Sequence, residues 1–189
     1  PIASARPCEP ATLPYASANI GWNEKIMTQS QEAMPRMVSR VIPVAPFDLV
    51  IFGGTGDLAR RKILPGLFRR YCAGQMPPSA RIIGAARTAL DGPGYQQMVR
   101  DAIQEFGGVA EPDAKKLDAF IDCLSYVAID AKGETGWAEL QELMKGEERI
   151  EAYYFSVSPS LFAELAEQLQ HWGMADDDSR IVVEKPCRR

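Results

Sequence analysis

From residue 46 onward, short apolar runs alternate with longer stretches in which apolar side chains return every third or fourth position. Runs of the first kind read as buried strands, and stretches of the second as helices with one apolar face. Phe47 to Phe52 is apolar apart from Asp48, as suits a central parallel strand covered on both faces. Leu64, Leu67, Phe68 and Tyr71 follow at helical spacing, and Pro65 is expected to bend that helix. Arg81 to Ala85 predicts the second strand, Tyr95 to Phe106 and Asp113 to Asp122 two helices, and Tyr126 to Ile129 the third strand. Trp137 to Met144 predicts a short helix, Ala152 to Val157 the fourth strand and Arg180 to Glu184 the fifth. Ser158 is expected to cap a helix that carries Pro159 at its first position. Strands alternating with helices predict an α/β fold built on a doubly wound parallel sheet.

The first strand runs directly into Gly53-Gly54-Thr55-Gly56-Asp57-Leu58-Ala59, followed by Arg60, Arg61 and Lys62. Gly53 and Gly56 permit a tight turn and close approach of backbone to a pyrophosphate, and the first free amides of the next helix would solvate its charge. Ala59 is small enough to let helix and strand pack closely. Cations at a helix start are disfavoured by roughly 0.3–1 kcal/mol each, a penalty that a bound anion would remove. Taken alone, the same residues also fit a simple turn and a solvated helix face.

The end of the second strand bears on which dinucleotide would fit. An NAD site usually places an acidic residue there for the ribose hydroxyls, whereas this chain presents Arg87 and Thr88. An arginine can grip a 2′-phosphate through a charge-assisted, bidentate contact, so NADP is the expected coenzyme, with Thr55 and Lys62 as further phosphate contacts. Arg87 alone would pass for a surface residue at a strand end. Its distance from the glycine turn, about thirty residues, fits one βαβ unit.

The net charge of −4 argues against nucleic acid as a partner. No apolar run approaches the roughly eighteen residues of a membrane span. The four cysteines, Cys8, Cys72, Cys123 and Cys187, have no paired spacing, so neither a metal site nor a disulfide framework is expected, and a cytoplasmic setting fits best. Residues 1–44 carry several prolines and no sustained period and are expected to be a disordered leader, leaving 45–189 as the folded domain.

Gly53 to Leu67 (GGTGDLARRKILPGL), then IIGAART ending at Thr88, then VVEKP ending at Pro186 together resemble the coenzyme domain of the glucose-6-phosphate dehydrogenase family. The resemblance spans Pro46 to Pro186 in order and spacing. It implies a Rossmann-type domain, NADP-preferring oxidation of glucose 6-phosphate to 6-phosphogluconolactone in the pentose phosphate pathway, and a larger α+β domain holding most of the substrate site. By position it implies coenzyme contacts at Gly53, Gly54, Thr55, Gly56, Asp57, Leu58 and Arg87, and at Ser158 and Pro159 in the loop after the fourth strand. Lys185 matches a lysine that touches both substrate and coenzyme, and complete members of the family form homo-oligomers.

After Glu184-Lys185-Pro186 the chain reads Cys187-Arg188-Arg189, where the family continues with Phe-Gly and, further on, a His-Tyr-Leu-Gly-Lys-Glu segment bearing the catalytic histidine. The sole histidine, His171, lies near the end of a predicted helix and suits the dipole there rather than catalysis. The chain is therefore expected to be truncated within its coenzyme domain, to leave a sheet face exposed, and to bind coenzyme without turnover. Two alternatives are also open to the sequence: a self-standing NADP-binding module, and a fragment of a Gfo/Idh-type sugar dehydrogenase, against which the Gly-Gly-Thr-Gly turn counts. A phosphate-loop kinase is disfavoured because no Gly-Lys-Ser/Thr closes the turn.

Overall fold

Both faces of the first strand are apolar because both are buried. Phe47–Phe52 forms β1, with Val50 and Phe52 in one core and Leu49 and Ile51 in the other. The computed structural model describes residues 44–108, 112–146 and 148–184, so the expectations placed on residues 1–43 and on Lys185 fall outside the described residues. After β1 come a π-helical turn at Ala59–Ile63, α1 (Leu64–Cys72), β2 (Arg81–Ala86), α2 (Gly92–Phe106), α3 (Ala114–Ile121) and β3 (Leu124–Ala128). Then follow α4 (Trp137–Met144), β4 (Ile150–Phe155), a 3-10 turn at Pro159–Leu161, α5 (Phe162–His171) and β5 (Arg180–Val183).

All five strands are parallel, in the order β3-β2-β1-β4-β5. A parallel sheet needs cover on both sides. Leu64, Phe68, Tyr95, Val99 and Phe120 from α1, α2 and α3 close one face, and Trp137, Leu140, Leu165 and Leu169 from α4 and α5 close the other. Phe52 anchors the second core, its ring 5.7 Å from Trp137 and edge-on to Phe155 at 5.6 Å. The doubly wound α/β architecture expected from the alternating pattern is the one observed. Strand order reverses between β1 and β4, which opens a crevice at their carboxyl ends. At the other edge β5 is bare among the described residues, with Ile181, Val182 and Val183 each more than two-fifths exposed.

Several boundaries move. Asp91 caps α2 by accepting a hydrogen bond from the Gly94 amide, so that helix begins three residues before Tyr95. β3 begins at Leu124, and β4 occupies Ile150–Phe155, leaving Ser156 and Val157 to the loop beyond the strand. Pro65 does not bend a continuous α-helix. It lies in the first turn of α1, and the turn before it widens, with the Leu64 amide donating to the Ala59 carbonyl. Proline has no N–H to offer four residues back, and its ring would clash with that carbonyl; the wider turn avoids both problems. Ser158 precedes the 3-10 turn but caps nothing with its side chain, whose Oγ lies 3.0 Å from Ser160 Oγ.

Asp48, the one polar residue of β1, is 1% exposed. Arg81 at the start of β2 donates to it through Nε at 2.7 Å and also through Nη2. The same guanidinium donates to the Leu143 and Met144 carbonyls at 2.9 and 3.1 Å, ending α4. A buried carboxylate thus joins two strands and a helix terminus, and Arg149 lies 3.9 Å from it.

Candidate functional site

The turn after β1 is wedged between the ends of two neighbouring strands. Gly53 has φ +82°, and a Cβ there would lie 2.2 Å from the Ser156 carbonyl oxygen just beyond β4. On the other side the Gly53 and Gly54 amides donate to the Ala85 carbonyl of β2 at 2.7 and 3.2 Å. A Cβ on Gly54 would meet the Gly84 Cα at 3.0 Å, so glycine lies against glycine. Gly56 closes the turn by donating to the Gly53 carbonyl at 2.8 Å, and its own carbonyl accepts from the Arg60 amide at 3.0 Å. The helical run starting at Asp57 leaves its first amides without partners inside the helix, and such amides solvate anions.

A groove of about 560 Å³ opens above these strand ends. Gly53, Thr55 and Gly56 form one wall, Ala86, Arg87 and Thr88 another, and Val157, Ser158 and Leu161 a third, with Ile129 and Leu165 also lining it. The volume falls within the range of ligand sites. Thr55 Oγ1 and Thr88 Oγ1 stand 3.3 Å apart and link the first two walls. Arg87 is exposed and makes no hydrogen bond or ion pair among the described residues, so its donors are free. A glycine cradle with no room for a Cβ at Gly53 and little at Gly54 and Gly56, a helix start and a guanidinium unengaged among the described residues together fit a phosphate-bearing dinucleotide.

The structure brings together Gly53, Thr55, Gly56, Arg87 and Ser158 on this groove. Gly54, Asp57, Leu58 and Pro159 belong to the adjoining turns without lining it. The three cations after the turn are not on it either. Arg61 donates through Nε to Asp57 Oδ1 at 2.5 Å and lies over the Phe106 ring at 5.0 Å. Lys62, expected to touch phosphate, instead lines a second hollow of about 740 Å³ with Arg69, Arg70, Tyr154 and Glu184. It comes five residues after the helix start, more than one turn on, where the pull of the terminus on an anion has faded.

In that hollow the Tyr154 hydroxyl donates to Glu184 Oε1 at 2.8 Å. Burial, helped by the Glu184 carboxylate, pushes the Tyr154 phenol up to about 12, so it remains a donor at neutral pH. Lys185, next to Glu184, lies outside the described residues. His171 is exposed at the end of α5 and lines a third hollow with Glu164 and Glu167. The apolar lining residues Ile129, Leu161 and Leu165 are not legible in the sequence, since an apolar residue at strand or helix spacing looks like core whether or not it borders a groove.

No helix among the described residues is long and apolar enough to cross a membrane. The model of the glucose-6-phosphate dehydrogenase NAD binding domain matches residues 50–189. The glucose-6-phosphate 1-dehydrogenase of Rhizobium meliloti is 42% identical over 154 residues, which cover 81% of this chain and 31% of that enzyme. The enzyme of Gluconobacter oxydans is 40% identical over 148 residues, covering 76% of this chain and 30% of its own. The crystal structure of glucose-6-phosphate 1-dehydrogenase from Mycobacterium avium superposes with a TM-score of 0.67 at 32% identity, over 76% of this chain and 30% of that one. A glucose-6-phosphate dehydrogenase solved in complex with its substrate glucose 6-phosphate gives a TM-score of 0.64 at 26% identity, over 77% of this chain and 32% of that one. The chain thus spans about a third of the length of these relatives. It belongs to the glucose-6-phosphate dehydrogenase family and carries that family's NAD binding domain.

Proposed function

We propose that this chain is the coenzyme-binding portion of a glucose-6-phosphate dehydrogenase that uses NADP, with the coenzyme domain occupying residues 45–189 and the protein residing in the cytoplasm. The observation that carries the coenzyme preference is Arg87: an exposed, unengaged guanidinium on the groove wall at the end of β2, where an NAD site would hold a carboxylate. The glycine turn and the first helical amides hold the diphosphate, Arg87 and Thr88 the 2′-phosphate, and Val157, Ser158 and Pro159 border the rest. NADP held by these residues would supply a hydride acceptor for C1 of the sugar phosphate, and a base would be needed to take the C1 hydroxyl proton. His171 is not that base, because it lies at the exposed end of α5 on a different hollow. With His171 the sole histidine, these 189 residues are proposed to bind coenzyme without turnover on their own.

Lys185 follows β5 and Glu184, which borders the second hollow, and its ammonium is proposed to contact both substrate and coenzyme. In the whole enzyme, glucose 6-phosphate is the substrate and the assembly is a homo-oligomer. The test is a fluorescence titration of the purified chain with NADP and with NAD. Arg87→Ala is expected to weaken NADP binding about tenfold, from loss of one charge-assisted contact, and to leave NAD within about twofold. Equal loss for both coenzymes would contradict the assignment.

A further inference from the structure

Behind the groove, Tyr126 of β3 is 7% exposed and lies stacked on Tyr95 of α2, ring centroids 4.8 Å apart. It does not line the groove. Its hydroxyl reaches out of the core to the backbone of the loop that carries Arg87. It donates to the Thr88 carbonyl at 2.6 Å, with the Ala86 carbonyl 3.3 Å away, so the two carbonyls flanking Arg87 converge on one phenol. The Thr88 carbonyl also accepts from the Leu90 amide at 3.0 Å, and the Ala86 carbonyl from the Ile129 amide at 2.8 Å. Burial raises the phenol's pKa, which keeps its proton in place at neutral pH. The backbone on both sides of Arg87 is therefore tied down, although the side chain itself is free.

We propose that Tyr126 is a positioning residue for coenzyme selection: its hydroxyl fixes the Arg87–Thr88 backbone so that the guanidinium stands at the groove wall, ready for a 2′-phosphate. The inference rests on the reading of Arg87 given above. A guanidinium on a loose loop would lose more conformational freedom on binding, and that loss would fall on NADP alone, because NAD has no group for it to grip.

Tyr126→Phe keeps the ring on Tyr95 and removes only the hydroxyl. The experiment titrates wild type, Tyr126→Phe, Arg87→Ala and the double variant with NADP and with NAD, and measures amide hydrogen exchange across residues 87–90. Tyr126→Phe is expected to weaken NADP about fivefold and NAD less than about twofold, on the scale of one lost hydrogen bond. The Leu90 amide, bonded to the Thr88 carbonyl, is expected to exchange faster. In the Arg87→Ala background the same change is expected to have no further effect on NADP. An unchanged ratio of NADP to NAD affinity in Tyr126→Phe, or an equal loss with and without Arg87, would overturn the inference while leaving the arginine assignment standing. Wild-type NADP affinity in Arg87→Ala would overturn the assignment and the inference with it. If Tyr126→Phe proves poorly folded, hydrogen exchange in wild type decides: a Leu90 amide as unprotected as an open loop would contradict the clamp.

Discussion

Replacing Gly53 by alanine tests the cradle in its most sensitive place. Two costs add there. A non-glycine residue at φ +82° is strained by about 1–2 kcal/mol. The new Cβ also lies 2.2 Å from the Ser156 carbonyl oxygen, a backbone atom that cannot swing aside, so the ends of β1 and β4 must separate. Overpacking of this kind costs about 1–3 kcal/mol more. Gly74, at φ +67° with no atom within 4 Å of its would-be Cβ, isolates the first cost from the second. Urea unfolding of the two variants should therefore show Gly74→Ala destabilised by about 1–2 kcal/mol and Gly53→Ala by about 2–5 kcal/mol. Gly53→Ala should also lose coenzyme affinity, while Gly74→Ala keeps it. Equal destabilisation in the two variants would mean that the turn has room which the geometry denies, and would overturn the packing argument for Gly53.

Three further outcomes are expected. Tyr95 is fully buried with a hydroxyl that has no hydrogen-bond partner among the described residues, and its ring would lie 2.3 Å from a Cβ on Gly84; Tyr95→Phe should leave stability unchanged or raise it by about 1 kcal/mol, whereas a clear loss in a melting curve would expose a missed partner. Asp48→Ala removes the carboxylate half of the Arg81 pair while the guanidinium keeps its bonds to the Leu143 and Met144 carbonyls, and should cost about 1.5–3 kcal/mol by chemical denaturation, less than about 1 kcal/mol being evidence that the pair is unimportant. Burial raises the Glu151 carboxyl above its ordinary value, partly offset by the Tyr153 hydroxyl, so the fold gains from this group when it is protonated and loses that gain as pH rises through the raised value. Glu151→Gln should accordingly match wild type in acid and become progressively more stable than it toward neutrality; a difference independent of pH would contradict this.

The strands and helices were legible because each follows one period. α4 was placed at both ends by its run from Trp137 to Met144, and the glycine turn was visible because strand, glycines and helix follow one another without a gap. Relations across the sheet were not legible. Asp48 looked like an interruption of β1, and its meaning depends on Arg81, 33 residues on, reaching α4 as well. Tyr126 read as an ordinary strand aromatic, since its hydroxyl meets a loop 38 residues away. Lys62 stands close to the turn in sequence, but the helix sets it on the second hollow, a placement that no local period reveals. β4 was placed late because Tyr153 to Val157 stays largely apolar after the strand has ended, with Val157 turning to line the groove.

The coenzyme, as proposed, lies across the carboxyl ends of β1, β2 and β4. That placement is tested most directly by following the backbone amide resonances of the 15N-labelled chain during titration with NADP. Saturable shifts are expected, concentrated at Gly53 to Leu58, at Arg87 and Thr88, and at Val157 and Ser158. Shifts concentrated instead around Lys62 and Tyr154, or none at millimolar NADP, would contradict it.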